Sequence, residues 1–209
     1  MPVKVIEHPI VKDKLSRLRD KNTSSSEFRR YLHQLSLFLF YEASRNIVHT
    51  ESFDIETPLG KTCGERIKYS NLAFVPILRA GLGMLEPLLE LVPDSSVYHI
   101  GIYRNEQTLE PVLYYSNIDK TIFGKEVFIL DPMIATAGSI IKSFKLIEEF
   151  GPGSVKALCA IIAPEGLELI EKETSSFEIF AASIDEKLTS TGFIYPGLGD
   201  AGNRYFGNT

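Results

Sequence analysis

Residues 127–139 read Val127-Phe128-Ile129-Leu130-Asp131-Pro132-Met133-Ile134-Ala135-Thr136-Ala137-Gly138-Ser139. The apolar start is typical of a buried strand, and a helical pattern begins at Ser139. Backbone N–H groups at the N-terminus of a helix carry partial positive charge and bind phosphate. Asp131 at the strand tip can accept hydrogen bonds from sugar hydroxyls. The stretch predicts a ribose-phosphate site, although on its own it also fits an ordinary strand–turn–helix junction.

The surrounding chain predicts an α/β fold, with one domain over residues 1–209. Apolar runs of strand length occur at 72–78, 97–102, 126–130, 155–162 and 177–183. Helical patterns lie near 82–91, 139–150 and 165–173. Continuous apolar strands that alternate with helices indicate a mostly parallel central sheet with helices on both faces.

The N-terminal part predicts one long helix and one turn. Ser24 and Glu27 form a capping-box pattern, and a run of apolar residues at helical spacing follows. The helix is apolar on more than one side, which fits either a core helix or a subunit contact. Residues 46–70 are irregular or hairpin-like, with a turn signal at 57–60.

Two further loops follow predicted strands at the same sheet edge as Asp131, where ligands of parallel sheets bind. One contains Arg79, Ala80 and Gly81, and the other begins at Arg104. Arginine suits phosphate and diphosphate because its planar fork donates two parallel hydrogen bonds. A single arginine could equally be a solvated surface residue. The long polar segment 104–117 is predicted to be a lid over a bound sugar phosphate.

The last loop, 193–202, combines one acid with four residues of special backbone, which are Pro196, Gly197, Gly199 and Gly202. Such a loop can present backbone N–H and C=O groups to a flat heterocycle. It also fits a C-terminal surface turn.

Composition and near-miss motifs exclude several classes of function. The net charge of −5 disfavours a nucleic-acid-binding protein. Two cysteines and four histidines without ligand spacing predict no metal site built from side chains. A P-loop ending at residues 60–62 is ruled out because Ile55 stands where its first glycine is required. A dinucleotide-binding glycine motif at residues 81–86 is ruled out because Glu86 stands where its third glycine is required. The charged N-terminus lacks a signal-peptide block and no run spans a bilayer, so the cytoplasm is the expected location.

Five ordered segments together resemble the uracil phosphoribosyltransferase family over essentially the whole length. They are 76–84, 103–106 with 108–111, 130–133 with 135–136, 163–166, and 196–202. The resemblance implies a phosphoribosyltransferase fold with an N-terminal helix, a β-hairpin lid and a C-terminal base-binding loop. It implies the reaction of uracil with 5-phosphoribosyl diphosphate to give UMP and diphosphate, with Mg²⁺ carried by the sugar diphosphate.

The resemblance also implies roles for individual residues. Arg79, Ala80, Gly81 and Arg104 would bind the diphosphate, and residues 131–139 would bind the ribose and its 5-phosphate. Ile194, Gly199 and Ala201 would read uracil through their backbones. Asp200 would lie between base and sugar diphosphate, and Asp131, Arg104 and Asp200 are the expected catalytic residues. A homodimer or larger homo-oligomer and a GTP effector are further expectations.

Two residues depart from the family pattern. Ala137 stands where glycine is usual, and its methyl group is expected to require a negative φ. Tyr195 replaces a small aliphatic residue beside the base loop. The alternatives are a phosphoribosyltransferase for another base and a non-catalytic nucleotide-sensing regulator on the same fold.

Overall fold

The computed structural model describes residues 3–104, 110–174 and 177–208, and the side chain of Arg104 lies outside the described part. The helices of the described residues are α1 Pro9–Arg19, α2 Ser25–Ser44, α3 Leu82–Leu91, α4 Gly138–Glu148, α5 Pro164–Glu173 and α6 Ala201–Phe206. The strands are β1 Val3–Val5, β2 Thr50–Thr57, β3 Gly60–Ile67, β4 Leu72–Leu78, β5 Ser96–Val97, β6 Ile100–Arg104, β7 Pro111–Ser116, β8 Glu126–Leu130, β9 Met133–Ile134, β10 Ser154–Ile162, β11 Glu178–Ile184, β12 Lys187–Leu188 and β13 Ile194–Tyr195.

The central sheet runs in the order β1-β11-β10-β8-β4-β6-β7, with β5 beside β4 and β9 beside β10. All pairs within it are parallel except β6–β7, which is antiparallel. The predicted mostly parallel α/β fold is therefore confirmed. The β6–β7 pair forms the hairpin that was expected as a lid.

Both faces of the sheet are covered, because successive side chains of each strand point to opposite faces. Leu72 and Phe74 of β4 pack in one apolar core with α1, α2 and α3. Ala73 and Val75 pack in a second core with α4 and α5. The alternation explains why the strands read as continuous apolar runs.

Helix α2 packs into the first core. The predicted capping box is present, with the Ser24 hydroxyl accepting from the Glu27 amide and the Glu27 carboxylate accepting from the Ser24 amide. The Phe40 ring contacts the rings of Phe74 and Phe128 at centroid distances of 5.4 and 5.0 Å. The core interpretation of this helix is correct, and a subunit contact stays a prediction.

The predicted strand 97–102 is two strands in the structure. The Tyr98 amide still donates to the Phe74 carbonyl, at 3.0 Å. The amide of His99 instead donates to Asn117 Oδ1 at 2.6 Å, which interrupts the pairing. Pairing with β4 resumes at Ile100.

The turn signal near residue 58 was correct, since β2 and β3 form an antiparallel hairpin over residues 50–67. Within the described ranges, no helix is long and apolar enough to cross a membrane.

Candidate active site

The carboxyl ends of β4, β6 and β8 lie at one sheet edge, because these strands are parallel neighbours. The loops that begin at Arg79 and Asp131 therefore lie side by side. Their contact is close at Gly81, where an added Cβ would lie 2.2 Å from the Leu130 carbonyl oxygen. Only glycine allows this approach. The predicted convergence of these two loops is confirmed.

The loop after β8 forms a cradle around a cavity of about 140 Å³. The cavity is lined by Pro111, Asp131, Met133, Ile134, Ala135, Thr136, Ala137, Gly138, Ser139 and Ile140. Helix α4 begins at Gly138, so its first backbone N–H groups border this cavity. The arrangement suits a phosphate group in size and in polarity.

Two neighbouring elements support the cradle. Met133 and Ile134 form β9, which pairs with the end of β10. Gly166 of α5 lies behind Ala135, because an added Cβ at Gly166 would be 2.3 Å from the Ala135 carbonyl oxygen. The sequence pattern predicted neither support. The cradle is thus held by paired backbone rather than by a free loop.

The backbone conformation of Ala137 differs from the expected negative φ. The residue precedes α4 with φ 63° and ψ −4°, which is the left-handed region, and its side chain is buried. The methyl group was expected to require a negative φ. The cap of α4 instead keeps the glycine-like turn, at a cost of roughly 1–2 kcal/mol for a non-glycine residue.

Asp131 lines the cavity, and the pKa of its carboxyl is raised. Burial raises the pKa of its carboxyl from 3.8 to about 7, against the opposing effect of the Met133 amide, which donates to Oδ1 at 3.3 Å. Cys159 lies behind it, and burial together with the Asp131 charge raises the pKa of that thiol. A carboxyl whose pKa is raised by burial favours ligands that bring hydrogen-bond donors or positive charge.

Arg79 and Ala80 lie beside the C-terminal loop. The Arg79 side chain is exposed, and its guanidinium carbon lies 5.6 Å from the centroid of the Phe206 ring. An added Cβ on Gly202 would be 3.9 Å from Ala80 Cβ. Hence the predicted diphosphate loop and the predicted base loop are neighbours.

The β6–β7 hairpin borders the cradle on its other side. Arg104 is the last residue of β6 and pairs with Pro111. The ring of Pro111 lies 3.2 Å from the position of an added Cβ on Gly138, and Lys142 Nζ donates to the Pro111 carbonyl at 3.1 Å. Residues 105–109, which belong to the predicted lid and to one family segment, lie outside the described residues. The lid stays a prediction.

The C-terminal loop has the backbone geometry that its glycines suggest. Gly197 and Gly199 have φ values of 67° and 78°. Ile194 and Ala201 have buried side chains, whereas Gly199 and Asp200 are exposed. Asp200 caps α6 by accepting the Asn203 amide at 2.7 Å. With Ile194 and Ala201 side chains turned into the core, the groups available to a ligand are mainly backbone.

Sequence reasoning missed several residues that hold this loop. Glu165 of α5 accepts the Leu188 amide at 2.9 Å, which ties α5 to β12, the partner of β13. Asp185, Arg19 and Arg204 contact the loop backbone directly. The segment 163–166 was noticed as a motif, but nothing in the sequence paired Arg19 with a residue 166 positions away.

The fold is one that phosphoribosyltransferases share. A hypoxanthine-guanine phosphoribosyltransferase from Bacillus anthracis shares the fold, with a TM-score of 0.51 at 11% identity over 77% of this chain and 80% of that chain.

The family follows from closer relatives. The uracil phosphoribosyltransferase family model matches residues 5–208. A uracil phosphoribosyltransferase of Dictyoglomus turgidum is 45% identical over 97% of this chain and 98% of the relative. The one of Ureaplasma urealyticum serovar 10 is 43% identical over 98% of both. The structure of the AQ2163 protein from Aquifex aeolicus superimposes with a TM-score of 0.91 at 41% identity, over 98% of this chain and 97% of that chain. The chain belongs to the uracil phosphoribosyltransferase family, as its sequence segments predicted.

Proposed function

We propose that this protein transfers the phosphoribosyl group of 5-phosphoribosyl 1-diphosphate to uracil, which yields UMP and diphosphate. The observation that carries the proposal is that the 131–139 cradle and the Arg79 loop share one sheet edge, with the C-terminal loop beside the Arg79 loop. The cradle suits the 5-phosphate of the sugar, and the Arg79 cation suits the diphosphate. The backbone groups of the C-terminal loop suit the planar base. Family membership supports the same reaction.

The sugar phosphate would bind in the cradle. The first N–H groups of α4 and the hydroxyls of Thr136 and Ser139 are suited to the 5-phosphate. Asp131 would accept hydrogen bonds from the ribose hydroxyls. Because such donors favour the ionised carboxylate, binding should lower the raised pKa of Asp131.

Bond exchange takes place at the anomeric carbon. The bond from this carbon to the diphosphate oxygen breaks and the oxygen keeps the electron pair, while a ring nitrogen of the base forms the new bond and releases its N–H proton to solvent. Arg79 and Arg104 would stabilise the charge on the departing diphosphate. Asp200, at the join of the base and diphosphate loops, would complete the site. Holding the two substrates in line should supply much of the rate.

The residues fit a magnesium ion that arrives with the substrate. In the described part of the chain, no group of three or more His, Cys, Asp or Glu side chains could hold a metal ion. Asp131 is the one acid among the described residues that line the cavity. Mg²⁺ commonly takes one or two carboxylates together with substrate phosphates and water. When bound, the ion would neutralise charge on the diphosphate, and Asp131 would be its protein neighbour.

Base turnover tests the proposal. Purified protein is incubated with 5-phosphoribosyl diphosphate, Mg²⁺ and, in parallel, uracil, cytosine, orotate or hypoxanthine. We expect nucleotide formation with uracil alone. Turnover of another base would identify a phosphoribosyltransferase of different specificity. Binding of the sugar diphosphate without turnover of any base would favour the regulator instead.

The remaining expectations concern assembly, regulation and location. We propose a homo-oligomer, a GTP effector and a cytoplasmic location from the family resemblance alone. Sedimentation with and without GTP, beside the same activity assay, tests the first two. Cell fractionation tests the third.

A further inference from the structure

Both backbone groups of Gly197 in the predicted base loop are bound by one ion pair. The Gly197 amide donates to Asp185 Oδ2 at 2.9 Å, and the Gly197 carbonyl accepts from Arg19 Nη1 at 2.8 Å. Arg19 closes the ring by donating from Nη1 to Asp185 Oδ2 at 2.7 Å and from Nη2 to Oδ1. We call Arg19 and Asp185 the loop clamp.

The clamp is built from remote parts of the chain. Arg19 is the last residue of α1, and Asp185 directly follows β11. Asp185 is only 7% exposed and also accepts from the Ser183 hydroxyl at 3.1 Å. Burial acts to raise its pKa, but the hydrogen bonds from Arg19 and Gly197 outweigh burial and leave the pKa lowered. The carboxylate is therefore charged and fully engaged at neutral pH.

A second arginine holds the next residue of the loop. Arg204 of α6 donates to the Leu198 carbonyl at 2.7 Å. It also donates to the carbonyls of Leu18 and, at 2.6 Å, Asp20, at the end of α1. Its guanidinium carbon lies 4.5 Å from the centroid of the Phe28 ring. The C-terminus of α1 and the base loop are thus tied together twice.

The backbone groups of the base loop that are not bound within the protein are the ones that a ligand can contact. The polar backbone groups of Gly197 and the carbonyl of Leu198 are occupied, whereas Gly199 and Asp200 are exposed. Gly197 is held at both backbone groups, and no other residue fits there, because it is in the left-handed region and an added Cβ would lie 2.2 Å from the Ile194 carbonyl oxygen. A site that recognises a planar base through backbone groups needs those groups fixed before the base arrives.

We propose that Arg19 and Asp185, assisted by Arg204, are positioning residues that set the affinity of the site for the pyrimidine base. This inference rests on the proposed function, in which the 194–201 loop binds uracil. The clamp has no hydrogen bond to the 131–139 cradle among the bonds of the described residues, so affinity for the sugar diphosphate should be nearly independent of it.

The test compares two variants by steady-state kinetics, with each substrate varied in turn. Arg19→Met keeps the apolar stem and removes all hydrogen bonds from the guanidinium. We expect it to raise the KM for uracil about tenfold or more, because a charge-assisted hydrogen bond to the loop is lost. The KM for 5-phosphoribosyl diphosphate should stay within about twofold of the wild-type value.

The double variant Arg19→Met/Asp185→Asn separates positioning from stability. The single variant leaves a buried carboxylate without its partner, which lowers the unfolding temperature. Asparagine removes that charge and can still accept from the Gly197 amide. We expect the double variant to regain unfolding temperature but to keep the raised KM for uracil, since the Gly197 carbonyl remains unheld.

Lys156→Met supplies the matched control. It breaks another partly buried ion pair, Lys156–Glu178, at the opposite end of β10 from the site. This variant should lose stability without a change in either KM. An Arg19→Met protein with unchanged KM for uracil, or a double variant whose KM returns to the wild-type value, would overturn the clamp. Inactivity of the wild-type protein with uracil would instead remove the proposed function and the inference together.

Discussion

The guanidinium of Arg79 lies over the ring of Phe206, with 5.6 Å between the guanidinium carbon and the ring centroid. Arg79 follows β4, whereas Phe206 is the last residue of α6. The contact ties Arg79, which we propose binds the diphosphate, to the C-terminal helix. It also joins the loop after β4 to the helix that follows the proposed base loop.

Phe206→Ala should therefore weaken use of the sugar diphosphate. A cation–π contact at an exposed site contributes about 0.5–1 kcal/mol, so we expect the KM for 5-phosphoribosyl diphosphate to rise about two- to fivefold. Phe123→Ala is the control, because Phe123 is 74% exposed and lies beyond the opposite end of β8. An unchanged KM in Phe206→Ala would show that the ring does not orient Arg79.

Asp131→Asn should stabilise the free protein while it impairs catalysis. The pKa of Asp131 is raised from 3.8 to about 7, so its ionised form is costly in the folded state. This cost is absent below the unfolded-state pKa, grows as the pH rises through the interval between the two values, and is complete above about 7. Stability from this group therefore falls as the pH rises.

Urea unfolding at two pH values measures the effect. We expect the free energy of unfolding of Asp131→Asn to exceed that of the wild type by about 1–2 kcal/mol near pH 8, and by less near pH 5. The raised pKa alone corresponds to a larger free energy, but the carboxyl is half-buried and water screens its charge. Asp119→Asn, at an exposed carboxyl whose pKa is lowered by Thr121, serves as control and should show no gain near pH 8. An equal gain for Asp131→Asn at both pH values would contradict the raised pKa.

The sequence predicted the elements that carry strong local signals. Helix α3 was predicted over 82–91 and spans Leu82–Leu91, since its apolar face and flanking loop are both local features. Helix α1 was missed, because Val11, Leu15 and Leu18 form only a narrow apolar stripe in a charged segment. That omission also hid Arg19, whose partners Asp185 and Gly197 are distant in sequence.

In the candidate site too, the parts formed by consecutive residues were predictable and the parts formed by tertiary packing were not. The cradle could be predicted from consecutive residues, because a strand, an acid and a helix start are adjacent in the chain. Its supports could not, since Gly166 and β10 reach it only through tertiary packing. The sign of φ at Ala137 was also set by the fold rather than by the residue type.

Substitutions at Ala137 should separate backbone strain from packing. Ala137→Gly relieves a left-handed conformation, but it loosens the unfolded chain and removes a buried methyl group, so we expect stability within about 1 kcal/mol of wild type. Ala137→Val places a β-branched side chain in that conformation and should cost about 2 kcal/mol or more. Urea unfolding of the pair measures both values. A valine variant as stable as the glycine variant would show that the turn can relax to negative φ.

Gly166→Ala should damage the phosphate cradle from behind. The new Cβ would lie 2.3 Å from the Ala135 carbonyl oxygen, and this neighbour is backbone that cannot rotate away. We expect a stability loss of about 2 kcal/mol or more, together with a raised KM for 5-phosphoribosyl diphosphate, because the cradle must shift. Gly64→Ala is the control: the three atoms nearest its Cβ would be side-chain atoms of Ile55 and Phe53, at 3.2–3.4 Å. Since the β2–β3 hairpin does not border the cavity, that variant should keep the wild-type KM. A Gly166→Ala protein with wild-type unfolding and kinetics would mean that α5 does not support the phosphate site.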